Sequence, residues 1–131
     1  MKPRVLVADD DDAMRTTVAF TLDDEGYDTI EASSGLEVLR LLAAAENGGR
    51  GSAGFDLIVM DIRMPGLSGL DTVRRLRGLA CRTPVVLMTA FATPETEDEA
   101  DRLRVPLLSK PFPLSELTDL VTRTLDGRAT T

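Results

Sequence analysis

Five short apolar runs, each followed by a stretch of helical periodicity, constrain this chain more than any other feature. The runs are Val5 to Ala8, Thr29 to Ala32, Phe55 to Met60, Pro84 to Met88 and Pro106 to Leu108. Several are continuously apolar instead of alternating, as strands buried on both faces of a parallel sheet tend to be. Between them Met14, Val18 and Leu22 recur at intervals of four, Leu39, Leu42 and Ala43 form a second stripe, and Leu70, Val73 and Leu76 a third. Leu114, Leu117, Val121 and Leu125, flanked by Leu120, form the last. Each stripe would cover one face of a sheet. A further helix is expected over Pro94 to Leu103, rich in acids and poor in apolar surface. Strands alternating with helices predict an α/β fold around a central five-stranded parallel sheet, doubly wound as (βα)5.

Breakers sit where this pattern needs them: Gly26 after the first helix, Pro65-Gly66 after the third strand, Pro84 opening the fourth and Pro106 opening the fifth. Asn47 to Gly54, with its glycines, reads as a long flexible loop. A length of 131 residues suits one domain. That domain is expected over residues 1–126, with 127–131 a disordered tail or the start of a linker.

Charge and rare residues narrow the chemistry. A net charge of −7 and a pI near 4.5 disfavour direct binding to a phosphate backbone. The lone Cys81 allows neither an internal disulfide nor a paired-cysteine metal site. No segment reads as a signal peptide or a membrane span, so a cytoplasmic location is expected. The chain has no histidine, which removes the usual proton shuttle and metal ligand. Of the 15 basic residues only Lys2 and Lys110 are lysines, so Lys110 is a compositional exception.

In an open parallel sheet, ligands bind outside the carboxyl ends of the strands, at the switch point of strand order. Strand one should end in Asp9-Asp10-Asp11-Asp12, strand three in Asp61, strand four in Thr89-Ala90 and strand five in Ser109-Lys110-Pro111. Asp11 and Asp12 suit a helix N-cap and first turn. Asp9, Asp10 and Asp61 would raise one another's pKa unless a cation neutralised them. An all-oxygen set without His or Cys suits Mg²⁺. Taken singly, Asp61 could be a turn former, Thr89 a strand residue and Lys110 a solvated charge; it is their convergence on one rim that points to a site. There Asp61 could accept a phosphoryl group, with Lys110, the Thr89 hydroxyl and the Ala90 N–H serving its oxygens.

The segments Val5-Leu6-Val7-Ala8-Asp9-Asp10, Asp56-Leu57-Ile58-Val59-Met60-Asp61-Ile62-Arg63-Met64-Pro65-Gly66, Thr83-Pro84-Val85-Val86-Leu87-Met88-Thr89-Ala90 and Lys110-Pro111-Phe112 resemble the receiver domain of two-component response regulators, a flavodoxin-like fold. The likeness spans residues 4–126. It implies that Asp61 is the phosphoacceptor, that Asp9, Asp10, Asp61 and the backbone carbonyl of Arg63 bind Mg²⁺, and that Thr89 and Lys110 are the switch residues. It implies a cis Lys110–Pro111 bond, and a phosphohistidine donor on a sensor histidine kinase or histidine phosphotransfer protein, since this chain has no histidine. The domain would be a regulatory phosphoacceptor, not a dedicated enzyme. Its output would pass through the face of helix four, strand five and helix five to an output domain, a partner protein or a second copy in a phosphorylation-dependent homodimer. Arg63 and Phe91, two residues past the acceptor and the threonine, are candidates for setting the phosphoryl lifetime.

Three features depart from the family: Leu107 in place of the usual Tyr or Phe, no glycine between Phe91 and Val105, and Pro113 in place of a polar cap. Two other readings compete. A haloacid-dehalogenase-like phosphatase would use Asp9 as nucleophile and Asp11 as its partner acid. A phosphorylation-independent interaction module would have lost part of the pocket.

Overall fold

The computed structural model describes residues 2–47 and 54–130. In chain order they form β1 (Arg4–Ala8), α1 (Asp12–Asp24), β2 (Asp28–Ala32), α2 (Gly35–Asn47), β3 (Leu57–Asp61), α3 (Gly69–Gly78), β4 (Val85–Thr89), α4 (Pro94–Leu103), β5 (Leu107–Ser109) and α5 (Leu114–Thr130). All pairings are parallel and the order is β2-β1-β3-β4-β5. The fold is therefore the expected doubly wound (βα)5 sandwich. Most of the expected loop between Asn47 and Gly54 lies outside the described residues.

Side-chain alternation divides the core into two layers. Val5, Val7, Leu57, Val59, Val86 and Met88 face α1 and α5, where they meet Val18, Leu22, Leu117 and Val121. Leu6, Ala8, Ile58, Met60, Val85 and Leu87 face the other way, against Val38, Val73 and Leu76. Both faces of β3 and β4 are fully covered, which explains why their sequences run apolar without a break. Each such side chain contributes about 1.5–3 kcal/mol of burial.

Several details correct the sequence reading. In α2 Val38 is fully buried, whereas Ala43, which the expected stripe includes, is exposed. The helix is turned so that Val38, Leu42 and the partly buried Leu39 and Leu41 meet the sheet. Leu114 is largely exposed at the start of α5. Strand β5 starts one residue later than expected: Pro106 has no N–H to give, and its carbonyl accepts a hydrogen bond from Leu87 N at 2.9 Å. The assigned span of α5, Leu114–Thr130, runs on into the segment expected as a disordered tail or the start of a linker.

The ends of α4 and α5 account for two of the departures noted above. α4 closes on Arg104, whose φ of 59° and ψ of 45° place it in the left-handed region usually given to glycine. At α5, Pro113 supplies no side-chain cap, but its carbonyl accepts from Glu116 N at 2.9 Å. Its preset φ suits a helix start.

Candidate functional site

The order β2-β1-β3 reverses direction at β1 and β3, so the ends of these two strands flank the switch point. Asp9 directly follows β1 and is fully buried; Asp61 ends β3 and is 7% exposed. Asp10 is exposed at their mouth. One carboxylate oxygen from each of Asp9, Asp10 and Asp61 lies within 4.8 Å of the other two. Adjacent ligands of an octahedral ion with bonds of about 2.1 Å stand about 3.0 Å apart and opposite ones about 4.2 Å, so the three carboxylates are near enough to share one cation once they close in by about 1–2 Å.

Lys110 reaches into this cluster from beyond β5. Its Nζ donates to Asp61 Oδ2 at 3.2 Å and to Asp9 Oδ2 at 3.3 Å. The backbone aims it: Lys110 N donates to Thr89 O at 2.7 Å, and the following peptide bond to Pro111 is cis, as expected. Burial alone would lower the lysine's pKa, but the Asp61 and Asp9 charges and their hydrogen bonds more than offset this and raise it. Burial pushes the Asp9 pKa up and the Asp61 charge adds to the rise, opposed by the Asp11 N–H and by Lys110.

The free oxygen of each buried acid is held by a backbone amide. Asp9 Oδ1 accepts from Asp11 N at 3.0 Å, and Asp61 Oδ1 accepts from Arg63 N at 3.3 Å. Asp11 is the N-cap of α1, with its carboxylate accepting from Ala13 N and Met14 N. That role engages the acid a phosphatase would need as partner to Asp9. Asp12 opens the helix and pairs with Arg15 at 2.7 Å.

Thr89, 1% exposed at the end of β4, accepts from Phe91 N at 3.1 Å through its Oγ1. The sequence-predicted residues Asp9, Asp10, Asp61, Arg63, Thr89 and Lys110 thus all lie on the carboxyl rim of the sheet. Arg63 and Phe91 meet as well, with the guanidinium 5.2 Å from the ring centroid.

Two supporting residues escape the sequence reading. Arg15 Nη1 donates to the Asp9 carbonyl at 2.8 Å and its Nε to Glu31 at 3.0 Å, tying α1 to the strand end. Only the i, i+3 spacing of Asp12 and Arg15 hinted at a role. Gly69 opens α3 against the Asp61 peptide, and a Cβ there would stand 2.6 Å from the Asp61 carbonyl oxygen. Gly66, at φ 80°, lets the chain turn sharply between Asp61 and this helix.

Comparisons with known proteins identify the family and agree on the fold. The model of the response regulator receiver domain matches residues 5–122. Regulatory protein AtoC of Escherichia coli is 37% identical over 123 residues, which are 93% of this chain and 25% of AtoC. Sporulation initiation phosphotransferase F of Bacillus subtilis is 26% identical, with 95% of each chain covered. This chain spans a quarter of AtoC and 48% of the transcriptional regulatory protein YkoG of Bacillus subtilis. Among solved structures, the Francisella response regulator 1452 receiver domain superposes with a TM-score of 0.85 at 30% identity, covering 97% of this chain and 99% of that one. Vibrio cholerae chemotaxis protein CheY4 gives 0.80 at 31% identity, covering 95% and 99%. No helix among the described residues is long and apolar enough to cross a membrane. The chain belongs to the response regulator receiver domain family.

Proposed function

We propose that the domain receives a phosphoryl group on Asp61 from a phosphohistidine of a sensor kinase or phosphotransfer protein, and that Mg²⁺ assists the transfer. The observation that carries this reading is the Lys110 ammonium shared by Asp61 and Asp9 at 3.2 and 3.3 Å, with Asp10 beside them. A buried acid cluster held by one lysine is short of positive charge, as a phosphoryl-transfer site awaiting a metal would be.

Asp9, Asp10, Asp61 and the Arg63 carbonyl would hold the ion, which when bound neutralises the phosphoryl oxygens and the acids together. One Asp61 oxygen attacks phosphorus, the O–P bond forms as the N–P bond breaks, and the imidazole leaves as the neutral base once protonated. Lys110 turns from Asp9 to a phosphoryl oxygen. The Thr89 Oγ1 accepts from Phe91 N, so its own proton is free to serve another. Drawing Thr89 inward would pull on Phe91 and the start of α4, which passes the event to the α4, β5 and α5 face. An output domain, a partner or a second copy would read that face.

The test is NMR with Mg²⁺ and beryllofluoride, followed by labelling with a small acyl-phosphate donor. Amides near Thr89 and Lys110 should shift, and Asp61→Asn should abolish labelling. Unchanged spectra, or full labelling of Asp61→Asn, would remove the assignment; stable labelling at Asp9 would favour the phosphatase chemistry instead.

A further inference from the structure

The end of the sheet opposite Asp61 carries an unexpected concentration of positive charge. Arg77 of α3, Arg82 of the following turn, and Arg102, Leu103 and Arg104 at the end of α4 line an open concave space of about 530 Å³. None of these lining residues is acidic, in a chain whose net charge is −7. Charge is screened over about 8 Å at physiological salt, so this local excess, not the overall negative charge, governs a ligand inside the pocket.

Helix ends explain only half of the cluster. The C-termini of α3 and α4 favour nearby cations. Arg77, in the last turn of α3, also ties down the loop beyond it by donating to the carbonyls of Cys81 and Thr83 at 3.0 and 3.1 Å, and Arg102 pairs with Glu99 at 3.3 Å. Arg82 and Arg104 lie beyond the helices; the Arg104 N–H caps α4 by donating to Asp101 O at 3.0 Å, but neither side chain has a hydrogen-bond or ion-pair partner among the described residues. Arg104 also holds a left-handed backbone, φ 59°, that glycine would adopt without strain. The left-handed turn itself does not call for arginine, since Ala80 makes the same turn after α3 at φ 62°, so the fold leaves this charged side chain without a structural role.

We propose that Arg77, Arg82, Arg102 and Arg104 form a second site, which binds a small ligand carrying two or more phosphate groups. Guanidinium groups stay charged at any pH the protein meets, and Glu99 compensates only Arg102, so an anion in the pocket would relieve the repulsion among the rest. One phosphate monoester brings about −1.5 to −2 charges, so the three guanidinium groups without an acidic partner, with Arg102 beside them, exceed one phosphate and match a ligand with two. Their planar forks pair with phosphate oxygens in bidentate fashion. Leu103 is the single apolar lining residue, too little for the apolar anchors of a protein interface.

Inorganic triphosphate and ATP, titrated without Mg²⁺ into the full chain at physiological salt, test the site by calorimetry and amide shifts. Saturable binding should move the amides of Arg82 and Arg104 and leave those of Asp61 and Thr89 in place. Arg104→Gly should weaken binding at least tenfold without lowering Tm, and Arg82→Gln should do so similarly. Arg40→Gln, elsewhere on the surface, should bind normally. Wild-type affinity in Arg104→Gly and Arg82→Gln, shifts confined to the Asp61 rim, or tighter binding of a hexaglutamate peptide than of triphosphate would each overturn the proposal.

Discussion

The Arg63 guanidinium lies over the Phe91 ring, 5.2 Å from its centroid, and so joins the residue two past Asp61 to the residue two past Thr89. Both side chains are exposed. In the proposed reading, in which Asp61 is the acceptor, this pair would hold water away from its acyl phosphate. Such a pair contributes about 0.5–1 kcal/mol at an exposed site. Arg63→Ala and Phe91→Ala should each shorten the phosphoryl half-life about two- to fivefold. The double variant should be little worse than either single one, because the pair acts as a unit. Decay of the labelled protein measures this, and additive effects would show that the two residues act separately.

The lysine at the rim makes a pH-dependent contribution. Its pKa is raised in the fold, so the stability it brings is complete below 10.5 and is lost as pH rises through the raised value. Lys110→Met leaves Asp9 and Asp61 uncompensated and should cost about 1–3 kcal/mol at neutral pH, discounted for partial exposure. Urea denaturation across pH should show the gap between variant and wild type closing in strong alkali. A gap that persists there would mean that packing of the lysine stem, not its charge, supplies the stability.

Asp9 has the opposite effect at neutral pH. Its raised pKa means that the folded state binds its proton more tightly, so stability is greatest below 3.8 and falls as pH rises through the raised value. Asp9→Asn should therefore raise Tm by a few degrees in EDTA at pH 7, at about 1 kcal/mol of stability. Wild type should gain about 2.7 kcal/mol at a Mg²⁺ concentration 100 times Kd, and the variant much less. Equal Mg²⁺ responses would take Asp9 out of the metal site.

Gly69 should tolerate no side chain. A Cβ would meet the Asp61 carbonyl oxygen at 2.6 Å and Ile62 Cα at 3.0 Å, both of them backbone atoms that cannot rotate away. Gly69→Ala should cost about 1–3 kcal/mol, read as a lower denaturant midpoint at unchanged slope. If Asp61 is the acceptor as proposed, the substitution should also slow labelling there, because relief of the clash moves the Asp61 peptide. Normal labelling in a destabilised variant would separate the two effects.

Much of this architecture could be read from the chain. Buried strands announce themselves by unbroken apolar runs, and the residues that follow them, Asp9, Asp61, Thr89 and Lys110, inherit a place on one rim. Periodicity was a weaker guide in α2, where several apolar residues in succession left the buried face ambiguous. Packing against the sheet selected Val38 over Ala43. The missing glycine after α4 was visible too, but not its consequence. Arg104 takes the left-handed turn itself and so carries its charge into the pocket beside Arg77 and Arg82.

The sequence by itself determined which segments become strands and helices and which polar residues end each strand, because these follow from local periodicity and chain breakers. Only the tertiary structure decided that Lys110 stands between Asp61 and Asp9, which are 49 and 101 residues away along the chain. Local pattern carries no information on distances across such separations. They are set by strand order and crossover packing, which bring the ends of β1, β3 and β5 together and gather arginines from α3 and α4 at the other end of the sheet.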